Sequence, residues 1–388
     1  MTAWQRVHDA TEHLPAPLAA VDLAALDANA ADLARRAGGT PIRIATKSVR
    51  CRAILDRVLA RPGFSGLMGY SLPEAMWLVE QGATDVLVAY PTVDRRAIAR
   101  LASDESLRAA ITIMVDDPDH LRLIAEAVPA GSQPIRVCLD VDASLRIGRV
   151  HLGTRRSSVH SVEQAASAAR SIAAEPTVRL VGIMFYDAQV AGLPDSSPDV
   201  RAMKRVSIRE LRHRRPRIVA AVAAFANLEL VNAGGTGSLD QVADDPCLTE
   251  VAAGSGLYGP TLFDGYRDFT PQPAFAYALP VTRRPAADVR TLFSGGYVAS
   301  GPVADSRQPT PWLPEGLAVL PREGVGEVQT PVRGAGASAL NVGDRVWWRH
   351  PKAGEVCERF ADLQLVADDA TNTVTAVPTY RGEGQCFG

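Results

Sequence analysis

A repeating alternation constrains this chain more than any other feature. Short runs of β-branched and aliphatic residues are each followed by a turn, and most then by a stretch rich in Ala, Leu, Glu and Arg. This alternation predicts parallel strands joined by crossover helices, because parallel neighbours cannot be linked by a tight hairpin. The strand candidates are 18–22 (LAAVD), 43–46 (RIAT), 65–69 (SGLMG), 85–90 (DVLVAY), 111–116 (ITIMVD), 136–142 (RVCLDVD), 180–187 (LVGIMFYD), 228–235 (LELVNAGG) and 250–256 (EVAAGSG). Nine candidates exceed by one the number that closes a (β/α)8 barrel. With the first strand outside, the other eight close it from Arg43 to about Gly256.

Beyond Pro271 the texture changes. Pro and Gly become frequent, and short runs such as AFAYALPVT, DRVWWRH and NTVTAVPT follow one another without a long helical pattern between them. That is the pattern of a β domain. The expected architecture is an α/β (β/α)8 TIM barrel followed by a C-terminal β domain. Residues 1–22 form an N-terminal segment partly paired with the β domain, 23–270 the barrel and 271–388 the β domain. Within this frame 330–339 (TPVRGAGASA) reads as a loop, and the basic stretch 212–217 (RHRRPR) as a solvated helix face or loop.

Composition narrows the partners. Of 388 residues, 41 are Lys or Arg and 43 are Asp or Glu, so no basic surplus exists to attract phosphate backbones, and nucleic acid is not an expected partner. The longest weakly polar run, 218–231, is interrupted by Asn227 and Glu229 and is shorter than a membrane span requires, so no membrane partner is expected. The opening MTAWQRVHDATEHLP lacks the features of a secretory signal, and a cytoplasmic location is the expectation. Five widely spaced cysteines, with no Cys-x-x-Cys pair, read as reduced thiols.

In barrels of this kind the loops at the carboxyl ends of the strands carry the chemistry. The first inner strand ends in Ala45-Thr46-Lys47. An amine placed there, with Arg50 nearby to lower its pKa, is a candidate nucleophile. The seventh strand ends in Asn232 and the loop Gly234-Gly235-Thr236-Gly237-Ser238, the eighth in Gly254-Ser255-Gly256. These two loops most often build a phosphate site in barrels, because Gly lets backbone N–H groups approach an anion and hydroxyls add donors. An amine facing a phosphate cradle fits pyridoxal 5'-phosphate (PLP), whose aldehyde condenses with Lys. No Walker-type loop and no early Gly-x-Gly-x-x-Gly supports a nucleotide instead.

On these segments the chain resembles the alanine-racemase-fold (fold type III) PLP enzymes. Within them it most resembles the group of D-threonine aldolase and D-serine dehydratase, together with amino acid deaminase/aldolase proteins. IRIATKSVRC is similar to that family's Arg-Pro-His-x-Lys-Thr-His-Lys segment, with Arg43 and Lys47 at the matching separation and Arg50 at the later Lys. SLPEAMWLVEQGATDVLVAYP, DVDASLRIG, GIMFYDAQVAGL, NAGGTGS and TEVAAGSGLYGPTLFD follow in the family's order, and the likeness covers nearly the whole chain. It implies that Lys47 is the Schiff-base lysine and that Asn232, Gly235, Thr236, Gly237, Ser238, Gly254, Ser255 and Gly256 surround the cofactor and its phosphate. It places Arg146 near the pyridoxal ring, with an ion pair to Asp140 or Asp142 as the structural alternative, and Tyr186 and Tyr258 beside the cofactor.

The second domain departs from the family. Relatives carry His-x-Cys or His-x-Asp there, a metal site that holds the substrate's β-hydroxyl, whereas this chain has WWRHPKAGEVCERF with Lys352 two positions after His350. Two readings stay open. Either His350 and Cys357 bind a divalent metal (Zn, Mn or Mg), or the metal is gone and the Lys352 ammonium takes over part of its work. Lys47, His350 and Lys352 are then the catalytic candidates. The resemblance implies a PLP-dependent lyase on a small β-hydroxy amino acid of D configuration, by retro-aldol cleavage or by β-elimination with deamination. The alternatives are a racemase of the same fold, with Tyr297 as a second proton donor, and a non-catalytic PLP-binding protein. By analogy the chain is expected to form a homodimer.

Overall fold

A computed structural model describes residues 2–388. The chain divides into two compact units, one of Met1–Asp32, Lys47–Val58 and Ser255–Cys386, the other of Leu33–Thr46, Leu59–Gly254 and Phe387–Gly388. Strand β1 (Leu18–Asp22) belongs to the former. The latter holds β2 (Ile42–Ala45), β3 (Phe64–Gly69), β4 (Val86–Val88), β5 (Ile111–Val115), β6 (Ile135–Asp142), a two-stranded hairpin β7 (Leu145–Ile147) and β8 (Val150–Leu152), then β9 (Val178–Tyr186), β10 (Leu230–Ala233) and β11 (Glu250–Ala253). Eight of these strands close a barrel in the order β10-β11-β2-β3-β4-β5-β6-β9, and every barrel pairing is parallel. The alternation of the sequence thus yields the barrel it predicts, with the first candidate strand outside. β4, β10 and β11 are shorter than their candidate runs because the flanking residues lie in loops, whereas β3, β6 and β9 are each slightly longer.

Local sequence fixes where several helices start. Asp94 accepts from the N–H groups of Arg96 and Ala97, Asp117 from Asp119 ahead of Pro118, and Ser161 forms a reciprocal capping box with Gln164. Each satisfies donors that a helix leaves unpaired at its first turn.

The barrel interior is layered. Leu87, Met114, Cys138, Met184 and Leu230 form an apolar cluster. Arg43 donates to Glu250 at 2.7 and 2.8 Å and to Asp85 at 2.9 Å, and the Asn232 amide donates to the same Glu250 at 2.8 Å. Arg43 and Glu250 are buried together, so each supplies the charge that makes the other's desolvation tolerable.

The stretch 212–217 lies inside the helix Pro198–Ala223, and its reading as a wholly solvated face is corrected. Arg215 is buried and paired with Asp245, while Arg214 donates to the carbonyls of Asp142, His160 and Ser144. Backbone oxygens receive the donors of Arg214, while Arg215 is held by Asp245 and by the Phe185 ring, whose centroid lies 5.3 Å away.

The other unit is built on a nine-stranded sheet. Its strands besides β1 are β12 (Phe275–Ala286), β13 (Val289–Phe293), β14 (Thr310–Leu313), β15 (Ala318–Val319), β16 (Gln329–Arg333), β17 (Arg345–Arg349), β18 (Asp362–Val366) and β19 (Val374–Pro378). The path runs β15-β16-β13-β12-β1-β18-β19, with β17 joining β12 to β14. Strand β1 lies between antiparallel β12 and parallel β18, and all five of its residues are buried, which explains its unbroken apolar character. Trp4, Val7, Leu18, Ala20, Ala276, Ala278, Trp347 and Val366 form a core, with the Trp4 ring edge-on to Trp312 and Trp347 at 5.2 Å each. The reading of 330–339 as a loop is corrected in its first half. Residues 330–333 belong to β16, pair with both β13 and β15, and bury Thr330 and Val332 despite the Gly-rich sequence that follows. Among the described residues no helix is long and apolar enough to cross a membrane.

Candidate active site

Each unit holds part of the expected constellation. In the barrel unit the loop after β10 folds back on itself. Gly234 takes a φ of +84°, the Gly235 N–H donates to Ser238 Oγ at 3.1 Å, and the Ser238 N–H returns to the Gly235 carbonyl at 2.9 Å. Gly235 has no room for a side chain, since a Cβ would stand 2.8 Å from that of Ala191 and near the Tyr186 ring. Thr236 and Ser238 are buried, and the Gly254 N–H approaches Thr236 Oγ1 at 3.5 Å, which ties the loop after β10 to the end of β11. Arg36 donates to the Thr236 carbonyl at 2.8 Å and fixes the loop from behind. The result is a compact turn of Gly backbone and hydroxyl groups, the donor set that a phosphate requires. Asp187, buried near Ser238 and Arg215, is pushed above the usual carboxylate range by burial, against the pull of the Ser238 hydroxyl and of the Arg215 charge.

Two expectations in this unit change. The Asn232 amide, expected beside the cofactor, donates to Glu250 inside the barrel. Arg146 lies on β7 and pairs with Asp142, so the ion pair offered as its structural alternative is the one observed. A cation that sequence reasoning missed stands elsewhere. The Arg156 guanidinium lies 5.6 Å from the Tyr90 ring and 5.3 Å from the Tyr186 ring. A delocalised cation over two aromatic faces is held in place without a carboxylate. Its charge opposes the burial and the Asp116 charge that push the Asp140 carboxyl up to about 7. No motif pointed to Arg156, since it follows the hairpin in a run of polar residues; only Tyr186 marked its surroundings.

In the other unit, Lys47 occupies a 3-10 turn, Thr46–Ser48, directly after β2, and is half-buried. The loop after β17 clasps this turn. Gly354 takes a φ of +95°, and a Cβ there would collide with the Lys47 carbonyl. Arg50 donates to the same carbonyl at 3.2 Å and pairs with Glu358 at 2.6 Å. Ser255 and Gly256 start the 3-10 turn Ser255–Leu257, whose Leu257 carbonyl accepts from Asn29 at 3.0 Å. Tyr258 follows, buried, and donates to the Val49 carbonyl at 2.8 Å.

His350, at the end of β17, is 1% exposed, and neither ring nitrogen has a hydrogen-bond partner among the described residues. It meets the rings of Phe275 at 4.9 Å and Tyr258 at 6.3 Å edge-on. Burial, with the nearby Arg349 charge, pushes its pKa down to about 3, so the imidazole is neutral at physiological pH. Lys352 donates to the Ser300 carbonyl at 3.3 Å. Cys357 is buried and shares a hydrogen bond with Tyr258; burial and Cys51 push its thiol well above the ordinary value, which keeps it protonated. Among the described residues no group of three or more His, Cys, Asp or Glu could hold a metal ion. The Tyr297 hydroxyl is hydrogen-bonded to Ser294 at 2.8 Å. All five cysteines are free.

The geometry can be set beside known proteins. Over 193 residues the chain is 25% identical to the 3-hydroxy-D-aspartate aldolase of Paracoccus denitrificans (strain Pd 1222), a match spanning 50% of this chain and 46% of that relative, so it spans about half of the curated relative's length. Its fold is similar to that of D-threonine aldolase from Filomicrobium marinum, with a TM-score of 0.77 at 22% identity over 95% of this chain and 96% of that one. It is also similar to D-threo-3-hydroxyaspartate dehydratase from Delftia sp. HT23, with a TM-score of 0.73 at 19% identity over 95% and 98%. At these identities the structural likeness establishes the fold. A family model described as the alanine racemase N-terminal domain matches residues 21–261, more than half of the chain, and the chain belongs to that family.

Proposed function

We propose that the protein is a PLP-dependent lyase that acts on a small β-hydroxy amino acid of D configuration, by retro-aldol cleavage or by β-elimination with deamination. The observation that carries the reading is the clasp around Lys47. Gly354, Arg50 with Glu358, and Tyr258 through Val49 fix the turn that bears the amine, in the same unit as a buried, neutral His350. The names of the relatives, an aldolase and a dehydratase of 3-hydroxyaspartate and a D-threonine aldolase, support the same class.

The residues fit the cofactor. The Gly235–Ser238 turn and the Gly254–Gly256 segment would receive the phosphate, and Lys47 would take the aldehyde. Tyr186 and Arg156 would lie beside the ring. When bound, PLP supplies an electron sink for negative charge at the substrate's Cα. The protein supplies the proton transfers. In the aldol direction a neutral His350 ring nitrogen accepts the β-hydroxyl proton, for which its depressed pKa keeps it ready across the neutral range. In the elimination direction the Lys47 amine removes the α-proton while a cation, Lys352, assists departure of the hydroxyl. Racemisation is less supported, because the Tyr297 hydroxyl is engaged by Ser294. In this reading 23–270 is the cofactor-binding barrel, 271–388 the β domain, and the enzyme works as a cytoplasmic homodimer.

The test is reconstitution with PLP followed by assay on D-threonine and D-serine. Acetaldehyde with glycine identifies the aldolase, and pyruvate with ammonia the dehydratase. Inversion of the substrate without cleavage would replace the lyase reading with a racemase. No visible absorbance band with PLP would overturn the cofactor itself.

A further inference from the structure

In the barrel unit, the hairpin after β6 and the segment that follows it enclose a recess of ≈ 420 Å³. Arg146, Arg149, Arg155 and Arg156 stand in its wall, and no Asp or Glu does. Gly148, at a φ of +56°, opens the two-residue turn between β7 and β8 and so puts Arg149 at the tip. The opposite side is anchored by hydrogen bonds. Ser157 donates to the Asp140 carbonyl at 2.8 Å and Ser158 to the Asp116 carbonyl at 3.2 Å, while His151 Nε2 lies 3.1 Å from the Thr154 carbonyl oxygen.

Each guanidinium can be followed to its partner. Arg146 is taken by Asp142. Arg156 lies over the Tyr90 and Tyr186 rings and feels the Asp140 carboxyl, which burial and the Asp116 charge push up to about 7, so at neutral pH that carboxyl is ionised only in part. Asp116 itself meets His120 at 3.3 Å. Even a fully ionised Asp140 leaves Arg149 and Arg155, both exposed, with no hydrogen bond, ion pair or ring contact among the described residues. Other exposed arginines of the chain meet acids, as Arg95 meets Glu126 and Arg212 meets Asp244, each at 2.7 Å. Gathering cations without that answer sets them against one another, and an entering anion relieves the repulsion.

The recess borders the phosphate turn of the same unit. The Tyr186 ring lies 5.3 Å from the Arg156 guanidinium, and a Cβ on Gly235 would stand 3.7 Å from the same ring. A ligand that reaches past Tyr186 from the turn therefore meets the arginines. One guanidinium suffices for the α-carboxylate that every amino acid carries, and the surplus fits a second carboxylate. We infer that this recess binds the side-chain carboxylate of the substrate, with Arg149 and Arg155 as its donors, which makes the substrate an acidic β-hydroxy amino acid. The inference deepens the lyase reading, on which the ligand's being a substrate rests. Planar guanidiniums suit the task, since each offers two parallel N–H donors to a carboxylate.

The full chain is tested first with malate, a dicarboxylate without an amine, so that binding does not depend on lyase chemistry. Calorimetry at low salt should show malate binding that weakens about ten-fold or more in Arg149→Gln and in Arg155→Gln. Neither side chain is used by the fold, so both variants should unfold in denaturant as wild type does. With PLP, the preference for D-3-hydroxyaspartate over D-threonine, taken as a ratio of kcat/KM, should favour the acid in wild type and fall by a similar factor in each variant. An absence of malate binding, binding that neither substitution alters, or a wild-type preference for D-threonine would overturn the inference without touching the lyase reading. Malate binding that depends on both arginines, with no cleavage of any β-hydroxy amino acid, would remove the lyase reading and leave the carboxylate site standing.

Discussion

In the barrel unit, Arg43, Glu250, Asp85 and Asn232 answer one another within hydrogen-bond distance, while in the sheet unit His350 is as deeply buried and answers to nothing. Arg43, Glu250 and Asn232, like His350, are taken out of water, whereas Asp85 stays exposed. The first arrangement returns each lost hydrogen bond inside the fold and serves the scaffold. The second leaves donors and acceptors in reserve, which costs stability unless a ligand completes them.

Four substitution and pH experiments can break or sharpen that contrast. The largest effect is expected at His350. His350→Phe should lower turnover by about 10²- to 10⁴-fold, the usual range for losing a proton-transfer group, while denaturant unfolding stays close to wild type because no hydrogen bond is lost. A large loss of stability with unchanged turnover would reverse the assignment. Next comes Arg43→Met, which leaves Glu250 in the barrel without its cation and should cost about 3–5 kcal/mol in denaturant unfolding. A cost near zero would mean the network contributes nothing to the scaffold. Gly354→Ala should cost about 1–3 kcal/mol and weaken PLP uptake as well, because the new Cβ strains the backbone and displaces the Lys47 carbonyl. Stability loss without any change in PLP uptake would show that the clasp does not serve the amine.

The last contrast is linkage to pH, at most about 1.4 kcal/mol per pH unit for a single proton. Burial raises the Asp140 carboxyl from 3.8 to about 7, so the folded protein keeps a proton that the unfolded chain has released. Its contribution is full below about 3.8 and is lost as pH rises to about 7. His350 runs the other way. Its pKa falls from 6.5 to about 3, so its contribution is present above 6.5 and is lost as pH falls toward 3. Stability profiles between these limits should tilt in opposite senses in Asp140→Asn and His350→Phe when each is compared with wild type. Parallel profiles would show that neither group carries the assigned shift.

The barrel was legible because parallel strands buried on both faces must be short, apolar and separated by helices, and nothing in the chain contradicts that pattern. The positions of Lys47, the Gly235–Ser238 turn and Gly254 just beyond β2, β10 and β11 were legible because the strands that precede them were. What the sequence hid depends on pairing at long range. The separation of Arg146 from Arg156 is ten residues in the chain, yet one meets Asp142 on a hairpin and the other meets the Tyr90 and Tyr186 rings. Asn232 adjoins a glycine loop in sequence, but strand parity turns its amide into the barrel toward Glu250. The basic run at 212–217 gave no sign that Asp245 would bury Arg215. The clasp on Lys47 joins residues roughly three hundred positions apart, and no local spacing announces it.

The central claim is that the Lys47 amine bonds the aldehyde of PLP. Loading the protein with PLP, reducing it with borohydride and mapping the pyridoxyl mass by peptide fragmentation tests this directly. The account expects the added mass on the peptide containing Lys47 and its loss in Lys47→Ala. Label on another lysine, or none at all, would contradict it.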